Sequence, residues 1–273
     1  PAKTHFRVDA ASFIENVTLR ASLQTACATY KPADLKDLRN EMEAFSDATL
    51  RVSPSDVFSL PVILAARLKK RGAGSLNALQ KDFSAQIDLR SGAKSVPHDD
   101  LLQCLLGAQD QITGHKMSKR QVLGNLMMMV VAVNEPPASA ISWAIYLLAP
   151  HPQAQERARA EALAVDDDAV GRADMGMPFL TAVIEETMRL YPVVPILLRD
   201  TLKADQIGGC PIAAGSFMIV PVYAMHRSPM HWHDPDRFNP ERFLTNKASR
   251  RAFLPFSTGA RSCIGKTFAM IEM

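Results

Sequence analysis

Residues 118–149 read as a single helix whose centre, Leu126-Met-Met-Met-Val-Val-Ala-Val133, is apolar on every side. A helix without a polar face has to be enclosed by other elements, so the chain must build a layered helical fold around it. Ser118 is a suitable N-cap, and the methionines read as core filler. At the middle stand Asn134-Glu135-Pro136-Pro137. An amide and an acid in a buried helix cost free energy unless they serve something. Prolines at 136 and 137 remove two backbone donors, which frees the carbonyls of Ala132 and Val133 and kinks the helix. Two helices meeting at the prolines are the alternative; one kinked helix is the expectation.

The second feature lies ten residues from the end: Phe256-Ser-Thr-Gly259-Ala-Arg261-Ser-Cys263-Ile-Gly265. Gly259 and Gly265 permit positive φ and close approach of the backbone to something flat and bulky. A helical pattern begins right after Cys263, and the helix dipole there favours a thiolate, with Arg261 adding a positive charge. A thiolate presented in this way is a metal ligand or a nucleophile. A lone cysteine is more usually buried and structural, but the spacing argues against that here.

The rest of the chain reads as mainly α with a small β region. Helical spacing covers 10–30, then 34–52 with Asp34 as a cap, 60–92, 101–106, 153–164 and 178–191. The run Arg67-Leu-Lys69-Lys70-Arg71 reads as a solvated helix face. Short strands separated by glycine turns are expected at 196–199, 206–212 and 215–220. Glu186 and Arg189 share a helical face, which alone would be an ordinary surface pair. His151, His231 and His233 read as turn or surface residues, because no third metal ligand stands near the last two.

A net charge of +3 on 273 residues argues against nucleic-acid binding. Cysteines at 27, 104, 210 and 263 form no Cys-x-x-Cys, so neither a disulfide framework nor a zinc site is indicated, and a reducing, cytoplasmic setting fits. No signal peptide is visible in the given residues, and no apolar run of about 18 residues occurs in them. The chain starts on Pro1 and stops inside a helical pattern at Met273, so a longer parent is expected, and a membrane anchor before residue 1 stays open.

The Cys263 loop resembles the haem-binding loop of the cytochrome P450 (haem-thiolate monooxygenase) family, Phe-x-x-Gly-x-Arg-x-Cys-x-Gly, at all five fixed positions: Phe256, Gly259, Arg261, Cys263 and Gly265. Glu186-Thr-Met-Arg189-Leu-Tyr-Pro192 resembles the family's Glu-x-x-Arg helix, and Pro240-Glu-Arg242-Phe243 its Pro-Glu-Arg-Phe segment. Ala132, Asn134 and Glu135 fit the central distal helix, while Val133 and Pro136 replace its usual Gly and Thr. The resemblance implies one incomplete cytochrome P450 domain over 1–273. Its parts would be the distal helix at 118–149, the Glu-x-x-Arg helix at 178–191, and the haem loop and following helix at 256–273.

It implies haem b with Cys263 as axial ligand and Arg261 and Arg199 on the propionates. It implies that Glu186, Arg189 and Arg242 form a buried charge network behind the loop, and that Glu135 and Asn134 serve catalysis. The expected activity is monooxygenation of a hydrophobic small molecule by a monomer, with electrons from a ferredoxin or flavoprotein reductase drawn by Lys247, Arg250, Arg251 and Lys266. Pro136 lacks the hydroxyl that supports proton delivery in the family. That opens a peroxide-driven reaction, or a rearrangement or dehydration without dioxygen, as the alternative. A fragment that binds no haem is the third.

Overall fold

The computed structural model describes residues 8–32, 35–50, 76–92, 98–166, 176–245 and 248–273. Asp34, the Arg67–Arg71 run and Lys247 lie outside them, as does the first part of the helix expected at 60–92. Two compact units divide the chain, Pro1–Glu135 and Pro136–Met273.

The first unit is helical. It contains α1 (Ala10–Ala26), α2 (Leu35–Leu50), α3 (Asn77–Arg90), α4 (Leu101–Gly107) and the first part of α5 (Lys119–Leu148). Asp9 caps α1 by accepting from Ser12 N at 3.3 Å. Ser118 and Gln121 cap α5 reciprocally: Ser118 N donates to Gln121 Oε1 at 2.8 Å and Gln121 N to Ser118 Oγ at 3.4 Å. Leu79, Phe83 and Ile87 recur at four-residue spacing on α3 and join Leu19, Leu23, Leu102, Leu126 and Val130 in one core.

A buried ion pair ties three helix ends together in this unit. Arg90 Nη1 donates to both carboxylate oxygens of Asp100 at 2.8 and 2.7 Å. Asp100 also accepts from Ala28 N and Gln103 N, each at 2.9 Å. Arg90 Nη2 reaches Thr29 Oγ1 at 2.8 Å and Cys27 Sγ at 3.3 Å. In the sequence Arg90 is only a base in the last turn of a helix, and Asp100 only an acid before one.

The helix expected at 118–149 is continuous from Lys119 to Leu148 with both prolines inside it. It is not enclosed on all sides, however. Val122, Leu126, Val130 and Asn134 are buried along one stripe, whereas Met128 is 63% exposed and Ala132 and Glu135 share its open side. The hydrophobic pattern has no polar face to mark this asymmetry; the packing of α5 on the unit's other helices creates it.

The second unit continues from α5 through α6 (Pro152–Leu163) and α7 (Pro178–Leu190). It then forms β1 (Leu197–Asp200), β2 (Asp205–Ile207), β3 (Cys210–Ile212) and β4 (Phe217–Val220), followed by α8 (Val222–His226), α9 (Glu241–Thr245) and α10 (Lys266–Glu272). β1 pairs antiparallel with β4, Leu197 opposite Val220, and β2 pairs with β3. Gly208 and Gly209 turn the second pair with φ of 57° and 84°, a conformation glycine adopts without a steric penalty. Phe179, Val183, Ile184 and Met188 on α7 pack against Ala140, Ala144 and Leu147 of α5.

Candidate functional site

The Cys263 loop is closed by backbone hydrogen bonds. Cys263 N donates to Phe256 O at 2.9 Å and Ser262 N to Gly259 O at 3.0 Å. Ser257 and Gly259 take positive φ, 59° and 74°. Such a turn is cheap only for glycine, so Gly259 has a backbone reason to be there. Gly265 does not use that freedom: its φ is −87°. The helix also begins at Lys266, three residues after Cys263 rather than immediately after it. Gly265 lies beside the thiol: a Cβ there would stand 3.9 Å from Cys263 Sγ, an ordinary van der Waals contact.

Cys263 is exposed and Phe256 half-buried against the core of the unit. Arg199, on β1, donates from Nη2 to Ser257 Oγ at 3.1 Å, which brings it to the loop. Arg261 is exposed. An open thiol, a neighbouring glycine without a Cβ and two arginines in the same unit suit a flat, anionic, metal-bearing group. The residues present therefore fit a haem.

Behind the loop stands the charge network. Glu186 and Arg189 are fully buried on α7, with Arg189 Nε 2.7 Å from Glu186 Oε2 and Nη2 2.9 Å from Oε1. Arg242 Nε adds a contact to Glu186 Oε1 at 3.1 Å, and Asn239 N donates to the same oxygen at 2.8 Å. Arg189 Nη1 also donates to the carbonyls of His226 and Pro235 at 2.8 and 2.6 Å. One glutamate thus gathers two arginines, and one of these pins the segment that leads toward the loop. The i,i+3 spacing of Glu186 and Arg189, ordinary on a surface helix, is here an interior pair.

The structure brings Glu186, Arg189 and Arg242 together, and Arg199 to the loop of Phe256, Gly259, Arg261, Cys263 and Gly265. Asn134 and Glu135 belong to the other unit and point to different sides of α5. Asn134 is buried, and its Oδ1 accepts from Thr18 Oγ1 at 2.9 Å. Glu135 is on the open side. Sequence reasoning missed His226. It is fully buried on α8, and its Nε2 accepts from Leu254 N at 2.9 Å. Its place in a Met-His-Arg triplet carries no periodic or spacing signal. Burial, helped by the charges of Arg189 and Arg227, pushes its pKa down to about 4. His231 and His233 are exposed, as expected of turn residues.

Fold and site together describe a mainly helical protein that presents one cysteine on a braced loop. The chain belongs to the cytochrome P450 family, whose sequence profile matches residues 4–273. It is 39% identical to human cytochrome P450 4B1 over 183 residues, which is 64% of this chain and 36% of that protein. It is 29% identical to mouse cytochrome P450 3A13 over 274 residues, 92% of this chain and 54% of that protein. The cyclooctat-9-en-7-ol 5-monooxygenase of Streptomyces melanosporofaciens is 35% identical over 191 residues, 67% of this chain and 40% of that protein. The chain therefore spans about half or less of the length of these relatives.

Among solved structures, retinoic acid-bound cyanobacterial CYP120A1 superposes with a TM-score of 0.81 at 24% identity, covering 99% of this chain and 60% of that one. The haem domain of cytochrome P450DA gives 0.77 at 23%, covering 97% and 59%. The fold is the mainly helical cytochrome P450 fold in part, as the sequence led us to expect. Among the described residues, no helix is long and apolar enough to cross a membrane.

Proposed function

We propose that the chain is part of one haem-thiolate monooxygenase domain, binding haem b through Cys263 and oxidising a hydrophobic small molecule. The observation that carries this is the Cys263 loop: all five family positions are present, the thiol is open, and the support behind it is complete. When bound, the haem supplies the oxygen activation, which a thiolate ligand promotes by favouring O–O cleavage. Cys263 would hold the metal, and Arg199 and Arg261 would pair with the carboxylates of the cofactor. Phe256 and Gly265 shape the floor around the sulfur. Glu186, Arg189 and Arg242 keep that floor in place without touching the reacting atoms.

On α5, this reading assigns proton handling to Glu135, an acid exposed on the helix. Asn134, the other residue given a catalytic role, also ties α5 to α1, because its Oδ1 accepts from Thr18 Oγ1. Pro136 has no hydroxyl, so Asn134, a water or a hydroxyl of the substrate would have to take its place. This favours a second reading, in which the reaction is driven by peroxide or needs no dioxygen.

Electrons would come from a ferredoxin or flavoprotein reductase docking on Arg250, Arg251 and Lys266, all exposed. The protein acts as a cytoplasmic monomer in this reading. Haem titration tests the core of it. The purified protein should bind one haem with a Soret band characteristic of thiolate ligation, and Cys263→Ser should lose that band. Equal spectra for both proteins would sink the assignment. Reduction rates of charge-reversed Arg251 and Lys266 variants should fall and lose their salt dependence; rates indifferent to both charge and salt would remove the acidic partner.

A further inference from the structure

The buried imidazole of His226 is used by no step above. It sits where α7, α8 and the segment before Cys263 meet. Its backbone oxygen accepts from Arg189 Nη1 at 2.8 Å, and its ring lies 5.3 Å from the Phe253 ring. Its Nε2 accepts from Leu254 N at 2.9 Å. From Leu254 the chain runs two residues to Phe256, whose carbonyl receives the Cys263 amide at 2.9 Å. A backbone N–H can only donate, so Nε2 carries no proton and the neutral ring holds its proton on Nδ1. The same residue is thus gripped by the Glu186–Arg189 pair on its main chain and grips the loop with its side chain.

We propose that His226 is a positioning residue: as the neutral Nδ1–H tautomer it fixes the Leu254 amide and so transmits the buried Glu186–Arg189 pair to the Cys263 loop. Without the acceptor, the Leu254 amide would be left unpaired in a part-buried site and the segment 254–263 would loosen around its sulfur. His226→Phe keeps an aromatic ring beside Phe253 but offers no acceptor. His226→Gln offers a side-chain oxygen at about the reach of Nε2. Phe243→Leu, in the neighbouring aromatic cluster, serves as a control that weakens packing without touching the Leu254 bond.

Amide hydrogen exchange across 252–263, measured without haem, is the first readout. His226→Phe should speed exchange at Leu254 and Cys263 by about tenfold, the worth of one net hydrogen bond, with His226→Gln close to the parent. The control should leave these amides unchanged. Exchange unaltered in His226→Phe, or His226→Gln behaving like His226→Phe, would overturn the proposal. If the Phe variant does not fold, the nitrogen-15 shifts of His226 in the parent decide: the Nδ1–H tautomer supports the proposal and the Nε2–H tautomer refutes it. The second readout rests on Cys263 binding haem. In loaded protein, His226→Phe should move the carbon monoxide complex from the thiolate band toward the thiol band, and an unmoved band ratio would count against the proposal. A parent that binds no haem would remove the Proposed function while leaving the exchange and tautomer tests intact.

Discussion

Replacing Glu186 by Gln should destabilise the chain more than any other single change at the site. The carboxylate accepts four hydrogen bonds, two from Arg189, one from Arg242 and one from Asn239 N. Glutamine keeps the shape but removes the charge and one acceptor. Arg189, which is fully buried, would keep only neutral carbonyls as partners. A buried pair that loses one partner costs about 3–5 kcal/mol, because the remaining charge stays desolvated. Arg242 is the lesser member. Its side chain is 8% exposed and it has carbonyl contacts to His233 and Asp234, so its charge is partly accommodated elsewhere. Arg242→Met should therefore cost about 1–2 kcal/mol, the scale of one charge-assisted hydrogen bond. Urea unfolding followed by the fluorescence of Trp232, whose ring lies 5.2 Å from the Arg189 guanidinium, reports on this region. The reasoning predicts a loss of about 4 kcal/mol for Glu186→Gln, roughly a thousandfold in the folding equilibrium. A loss below about 1 kcal/mol, the scale of an exposed pair, would refute the claim that the network is an interior charge cluster.

Pro136→Thr should raise the product formed per reductant consumed; unchanged coupling would mean that the missing hydroxyl is not the limiting feature. His226 makes stability pH-dependent on the acid side. Its folded pKa, about 4, lies below the ordinary 6.5, so the unfolded chain takes the proton first. Stability is full above about pH 6.5 and falls by up to about 3 kcal/mol as the pH drops to about 4. His226→Gln should flatten that part of the urea-midpoint profile, and an unaltered slope would assign the acid sensitivity to other groups. Arg90→Ala strands the buried Asp100 carboxylate and should cost about 3–5 kcal/mol in thermal or urea unfolding; a neutral outcome would mean that solvent reaches Asp100.

Much of this was readable from residues because local rules coincide with the fold. The cap at Ser118, the periodicity of α5 and the Gly208-Gly209 turn act over a few residues, and their geometry follows from spacing alone. The five positions of the Cys263 loop were readable for the same reason, lying within ten residues of one another. What spacing does not carry is direction and depth. Asn134 and Glu135 are adjacent in sequence, yet about 100° apart around a helix, so one is interior and the other open. Met128 looks as core-bound as Leu126 until the packing of neighbouring helices leaves its side uncovered. The Arg90–Asp100 pair and the His226–Leu254 bond join residues 10 and 28 positions apart through tertiary packing, and no short pattern announces them. Gly265 shows the converse. Its residue type is compatible with positive φ, yet the backbone there is at φ −87°, beside the Cys263 sulfur.

The central claim is that Cys263 is a metal-binding thiolate on a braced loop. The carbon monoxide difference spectrum of the reduced, haem-loaded protein, compared with that of Cys263→Ser, tests it most directly. The account predicts a thiolate-type Soret band in the parent and its loss in the serine variant. The absence of that band from the parent, or its survival without the Cys263 sulfur, would contradict it.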